Sequence, residues 1–137
     1  MFTASPSNEL TLPLFAANIQ AGFPSPAEDY LDGPLDLNTH LIPHPAATFF
    51  VRVAGDSMRG AGIFSGDLLI VDRSLSAKDG SIIVAILAGE FTVKRLKICN
   101  GNFSLIPENP AYPIVKLTAE TDFQVWGVVT YVIHKTV

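Results

Sequence analysis

The chain has 137 residues, 48% of them hydrophobic and 16% charged, a length that fits one domain and a composition that excludes full disorder. Nine Lys and Arg against 13 Asp and Glu give a net charge of −4, and the single basic cluster, Lys94-Arg95-Lys97, is too small for a nucleic-acid footprint. One cysteine, Cys99, excludes an intramolecular disulfide and suits a reducing compartment.

The first third differs in character from the rest. Residues 1–51 hold no Lys or Arg and carry Glu9, Glu28, Asp29, Asp32 and Asp36, so they stand at −5 while the remainder stands at +1. Seven of the ten prolines, Pro6, Pro13, Pro24, Pro26, Pro34, Pro43 and Pro45, fall here. Proline lacks an N–H donor and breaks helices and central strands, which predicts an extended arm with at most a short helical turn around Phe15–Gln20. Leu12, Leu14, Phe15, Ile19 and Phe23 make that arm apolar enough to dock on a surface. Leu10–Phe23 has no basic leader and is interrupted by Pro13 and Asn18, so it is not read as a secretion signal. No run approaches the ~18 apolar residues of a membrane span. The expectation is a soluble, cytoplasmic protein with no metal or cofactor motif and no helix-turn-helix.

From Thr48 onward the pattern is one of short strands. Phe49–Val53 is predicted first, then Asp67–Val71 after a Ser65-Gly66 turn, then Ser81–Leu87. Ala88-Gly89 turns the chain into Glu90–Ile98, and Asn100-Gly101 is a strong hairpin signal leading into Asn102–Ile106. Cys99 reads as a residue at a strand end rather than a nucleophile. Val125–Ile133 is the last predicted strand, interrupted by Gly127. The fold class expected is all-β, with bent, twisted small sheets and few or no long helices.

Gly55-Asp56-Ser57-Met58 follows directly on the first of these strands. Glycine permits a tight turn, and a serine on such a turn can present its hydroxyl beside backbone N–H groups aimed at a developing oxyanion. The same four residues also make an ordinary turn, so Ser57 needs a base before it counts as a nucleophile. His40 and His44 lie in the proline-rich segment and His134 near the end, none with an orienting carboxylate in a motif. Lys94 is the better base. Strand alternation puts Thr92, Lys94, Leu96 and Ile98 on one face and Phe91, Val93, Arg95 and Lys97 on the other, where Arg95 and Lys97 are expected to reach water. Lys94 is the one charge on its face. Burial disfavours an ammonium, and a lysine that is neutral near working pH can take a serine proton. Its competing reading is a stem packed on the sheet with the tip in water.

The order and spacing of several blocks resemble a known family. Gly55-Asp56-Ser57-Met58, then Gly66–Asp72, then Gly89–Leu96, with 37 residues from serine to lysine, are similar to UmuD and to the peptidase domain of LexA-type repressors. Leu105–Tyr112 and Val125–Val129 resemble later blocks, and Phe23–Ala27 and His44–Thr48 are specifically UmuD-like. The resemblance implies a β-clip fold of the LexA/UmuD peptidase type. It implies Ser57 as nucleophile, Lys94 as general base, and the backbone N–H groups of Ser57 and Asp56 as oxyanion donors. It also implies self-cleavage at Ala21–Gly22, where UmuD commonly has Cys-Gly and LexA-type repressors Ala-Gly.

Read without the family, Ala21-Gly22 offers minimal bulk, and Phe23-Pro24 keeps the following chain extended, but the favoured reading is that the pair merely ends a helical turn at Phe15–Gln20. The resemblance divides the chain into a self-cleaved arm, 1–28, and a peptidase and dimerisation domain, 29–137. About 48 residues precede the first strand predicted from Thr48 onward, where LexA-type repressors carry a winged helix-turn-helix, so the chain looks like UmuD rather than a repressor. The implied partners are a second copy in a homodimer, a RecA filament on single-stranded DNA that stimulates cutting, and a UmuC-like Y-family polymerase joined by the trimmed chain in translesion synthesis. The main rival is a non-enzymatic adaptor on the same fold. A signal-peptidase-like enzyme shares the Ser/Lys pair and a small residue before the cut, but works at a membrane.

Overall fold

A computed structural model describes residues 10–15, 21–22 and 31–137 of the chain. They fall into two compact units, 1–43 and 44–137. The expected boundary at 28/29 lies outside the described residues, as do 16–20 of the expected helical turn.

The first unit holds a two-stranded antiparallel sheet, β1 (Thr11–Phe15) and β2 (Leu31–Asp36), and a short helix α1 (Leu37–Leu41). Pro13 stands opposite Pro34. Each strand of a two-stranded ribbon has one open edge, so prolines that would break an inner ladder fit here. Asp36 caps α1 by accepting from the Asn38 N–H at 3.0 Å. Where it is described, this region is extended as a paired ribbon, with Phe15 closing β1, and it also holds a helix at Leu37–Leu41 that was not expected.

The second unit is one antiparallel sheet of seven strands in the order β3-β4-β9-β5-β6-β7-β8. The strands are β3 (Thr48–Arg52), β4 (Leu68–Asp72), β5 (Ile82–Leu87), β6 (Glu90–Cys99), β7 (Asn102–Ile106), β8 (Val115–Leu117) and β9 (Phe123–Ile133). The all-β expectation holds, and β8 is an addition to it. Asn100 and Gly101 both have positive φ, at 51° and 78°, the geometry of a tight hairpin turn whose twist matches its strands. Exposed Cys99 ends β6, as read.

Both faces of the sheet are covered. Alternate residues of β5 serve the two sides: Val84 joins Met58, Ile63, Leu69 and Val71, while Ile83 and Ala85 join Leu96 and Leu105. An unbroken apolar run at β5 is what a strand buried on two sides requires. Each fully buried Leu, Ile or Val side chain contributes about 1.5–3 kcal/mol.

Gly127 does not interrupt β9. The strand runs through it, and a Cβ there would meet Val71 Cγ1 at 2.5 Å, so glycine lets β9 approach the fully buried Val71. Register shifts against β5 and β4 place single extra residues at Trp126 and Thr130 of β9, bending the strand.

Two buried aspartates bracket β4. Asp72 ends it and accepts from Ser74 Oγ and the Ser74 N–H, with His44 Nδ1 at 2.6 Å; Asp67 precedes it and accepts from the Phe64 N–H, with His134 Nδ1 at 2.6 Å. Two of the three histidines therefore have carboxylate partners, brought from 28 and 67 residues away rather than by a sequence motif. At the His44–Asp72 pair Ser74 bonds the aspartate rather than the imidazole, which is not the order of a catalytic triad, and among the described residues the His134–Asp67 pair has no hydroxyl bonded to it.

Candidate active site

Ser57 lies in the turn that leaves β3. Val53 N–H donates to Asp67 O and Gly66 N–H to Val53 O, which holds the end of β3 against the entry to β4. Gly55 follows at φ 94°, a conformation costly for any residue with a Cβ, and its N–H donates to Ser65 Oγ. Met58, directly after the serine, is buried in the core, which anchors the turn from below.

Lys94 comes from β6, on the other side of the sheet order. Its Nζ lies 3.1 Å from Ser57 Oγ, 2.8 Å from Thr92 Oγ1 and 3.0 Å from Val93 O. Burial lowers its pKa from the ordinary 10.5, because the charged form loses hydration. The three contacts match the three N–H bonds of an ammonium; in the neutral amine two N–H bonds can go to Thr92 Oγ1 and Val93 O, and the lone pair then faces the Ser57 hydroxyl. The face assignment put Thr92 and Lys94 together but gave Thr92 no role; it is the tether of the amine.

A groove of about 520 Å³ opens beside the pair, lined by β3 and its continuation to Gly55, by Phe91–Lys94 of β6, and by Trp126. β7 pairs with β6 only from Arg95 to Cys99, so among the described residues Glu90–Lys94 have a neighbouring strand on one backbone edge only. Phe49 and Phe91 each pack against Trp126, with ring centroids 5.3 and 5.7 Å apart. This aromatic wall was not read from the sequence, since its members come from three separate strands.

The loop after β7 touches the serine turn. Asn109 Nδ2 donates to Asp56 O at 3.0 Å, Tyr112 Oη donates to Asp56 Oδ1 at 2.6 Å, and Gly60 N–H donates to Glu108 O at 2.7 Å. Arg95 does not simply reach water: its Nε donates to Glu108 Oε1 at 2.6 Å and its Nη1 to Gly80 O. Among the described residues, the N–H groups of Asp56 and Ser57 donate to no protein acceptor. Ala21 and Gly22 form an exposed bend in the first unit, and a Cβ on Gly22 would meet nothing within 4 Å.

A profile described as peptidase S24-like matches residues 13–130. Protein SamA of Salmonella typhimurium is 51% identical over 92% of this chain and 87% of its own length. Protein MucA of Escherichia coli is 43% identical over 88% of this chain and 83% of its own length. The chain belongs to the peptidase S24-like family. Within that family the UmuD- and LexA-type resemblance read from the blocks stands. A LexA repressor of Paracidovorax citrulli is 40% identical over 94% of this chain, but that alignment takes in only 57% of the repressor. The family is one of peptidases, and this chain carries its site on a β-sheet scaffold. Among the described residues no helix is long and apolar enough to cross a membrane.

Proposed function

We propose that this S24 chain is a UmuD-like serine peptidase that cuts its own Ala21–Gly22 bond, with Ser57 as nucleophile and Lys94 as general base. The observation that carries the reading is the Lys94 amine 3.1 Å from Ser57 Oγ, its other two contacts being able to take both protons of a neutral amine. Neutral Lys94 takes the hydroxyl proton as Oγ adds to the Ala21 carbonyl carbon. The oxyanion forms against the Ser57 and Asp56 N–H groups. As the C–N bond breaks, the Lys94 ammonium returns the proton to the Gly22 amine. Lys94 then deprotonates a water that adds to the acyl carbon, and returns that proton to Ser57 Oγ as the ester C–O bond breaks.

Under this reading residues 1–28 act as the arm that carries the cleavage site, and 29–137 as a peptidase and dimerisation domain. A RecA filament stimulates cutting by favouring the arm conformation that reaches Ser57. The trimmed homodimer serves a UmuC-like Y-family polymerase in SOS mutagenesis in the cytoplasm. The relatives and the family support the role; the partners follow from the UmuD resemblance.

The test is a mass measurement. Purified chain is incubated at pH 7–10, alone and with RecA, single-stranded DNA and a nucleotide analogue. The expected result is a fragment beginning at Gly22, formed faster at higher pH and faster with RecA, and absent from Ser57→Ala and Lys94→Ala. A chain that stays intact in every condition supports the adaptor reading instead.

A further inference from the structure

The loop Pro107–Tyr112 meets the serine turn at three places and the base strand at a fourth. Asn109 holds the Asp56 carbonyl, Tyr112 holds the Asp56 carboxylate, Glu108 O receives the Gly60 N–H, and the Glu108 side chain receives Arg95, the residue after Lys94. The fit at Gly60 is close: a Cβ there would stand 2.7 Å from Glu108 O. Asn109 is itself oriented, because its Oδ1 accepts from the Ala111 N–H at 3.0 Å, which leaves Nδ2 to face Asp56 O. The Asp56 carboxylate keeps the Tyr112 phenol protonated, raising its pKa through their hydrogen bond, so the phenol remains a donor.

A peptide unit is planar, and in a trans peptide the C=O and the following N–H point in opposite directions. No cis peptide is present among the described residues. A donor that fixes the Asp56 carbonyl therefore also fixes the direction of the Ser57 N–H. Without Asn109, the Asp56 carbonyl keeps only the longer bond from the Arg59 N–H, at 3.3 Å.

We propose that Asn109, with Tyr112 as its support, is a positioning residue that sets the Asp56–Ser57 peptide plane so that the Ser57 N–H is held ready for the oxyanion. The inference rests on Ser57 being the nucleophile. It assigns to the loop after β7 a task in the transition state rather than in binding the arm. Oxyanion donors act at full strength only when aimed in advance, and loss of one costs about 10²–10³ in rate. A donor set askew rather than deleted is expected to cost about tenfold to a hundredfold.

The experiment follows self-cleavage of the full chain against pH for wild type, Ser57→Ala, Asn109→Asp and Tyr112→Phe, with a melting curve for each. Asn109→Asp keeps the acceptor for Ala111 and the loop shape but replaces the donor by a carboxylate. The expected result is a plateau rate lowered tenfold or more in Asn109→Asp and a few-fold in Tyr112→Phe, with the pH of half-maximal rate unchanged. An unchanged half-maximal pH separates aim at the oxyanion from an effect on Lys94. Wild-type plateau rates in the two variants overturn the inference and leave the Ser57 reading intact. A rate recovered in full at higher pH also overturns it, since the loop would then act through the amine. If Asn109→Asp does not fold, Tyr112→Phe decides alone: an unaltered plateau overturns the inference. Failure of wild type itself to cut at Ala21–Gly22 removes the Ser57 reading and this inference together.

Discussion

Lys94 carries opposing demands in one side chain. Its amine is covered enough to lose hydration, which lowers its pKa, and yet it stands 3.1 Å from Ser57 Oγ, where the proposed chemistry needs it. A lysine whose folded pKa is depressed destabilises the fold wherever the unfolded lysine is protonated. That penalty is present at neutral pH and disappears as pH rises through the folded value toward the ordinary 10.5. Lys94→Met, which keeps an apolar stem and removes the amine, is therefore expected to melt higher than Ser57→Ala at pH 7. The gap should narrow toward pH 10. Thermal melts of these two uncut variants across pH measure it, and a gap that widens with pH contradicts a desolvated amine. Lys94 was legible in the sequence because strand alternation isolates it on its face and because the blocks around it resemble a family. Thr92 shared that face, but nothing in alternation says that a hydroxyl two residues away will bond the amine.

Among the elements, β9 is the most constrained. It lies between β4 and β5, and at Gly127 it approaches Val71 so closely that a methyl group has no room. Val71 is fully buried and cannot swing aside. Gly127→Ala, made in the Ser57→Ala chain to prevent cutting, is expected to cost about 1–3 kcal/mol by overpacking. Urea denaturation measures it, and an unchanged midpoint would show that β4 and β9 can separate at no cost. The sequence marked Gly127 as a break because glycine weakens an isolated strand; in a crowded sheet it instead permits close approach. Most strands from β3 to β7 were readable within a residue or so, since Gly and Asn turns delimit them. β8 has three residues and too little pattern to detect, and the pairing of β1 with β2 was hidden by prolines that a two-stranded ribbon tolerates. Asn109 and Tyr112 were out of reach for another reason. They meet Asp56 from 53 and 56 residues away, a separation that leaves no periodic trace.

At the scale of the whole molecule, the ends of the second unit are fastened to one strand. His44, at the start of that unit, bonds Asp72, and His134, just beyond β9, bonds Asp67, so both clasps close on the ends of β4. Hydrogen bonds lower both carboxyl pKa values from 3.8, chiefly from Ser74 to Asp72 and from the Phe64 N–H to Asp67. A carboxylate with a depressed folded pKa contributes stability above its unfolded value and loses it as pH falls through the folded one. The Ser57→Ala chain is thus expected to hold these contributions down to about pH 4 and lose them below. Urea midpoints at pH 7, 5, 4 and 3 check this. The double variant Asp67→Asn/Asp72→Asn should show a flatter decline below pH 4, and an equal slope would assign the acid sensitivity to other groups. The strand order has one more consequence. Ser57 belongs to the β3–β4 hairpin and Lys94 to the β5–β6 hairpin, and these hairpins are joined in the sheet through β9, the last of its strands in sequence. A chain still lacking Phe123–Ile133 has no strand to join the two hairpins in the sheet, and only side-chain packing such as Val84 on Met58 and Leu69 is left to bring hydroxyl and amine together. If the pair cuts as proposed, the last strand to be made is the one that completes its frame.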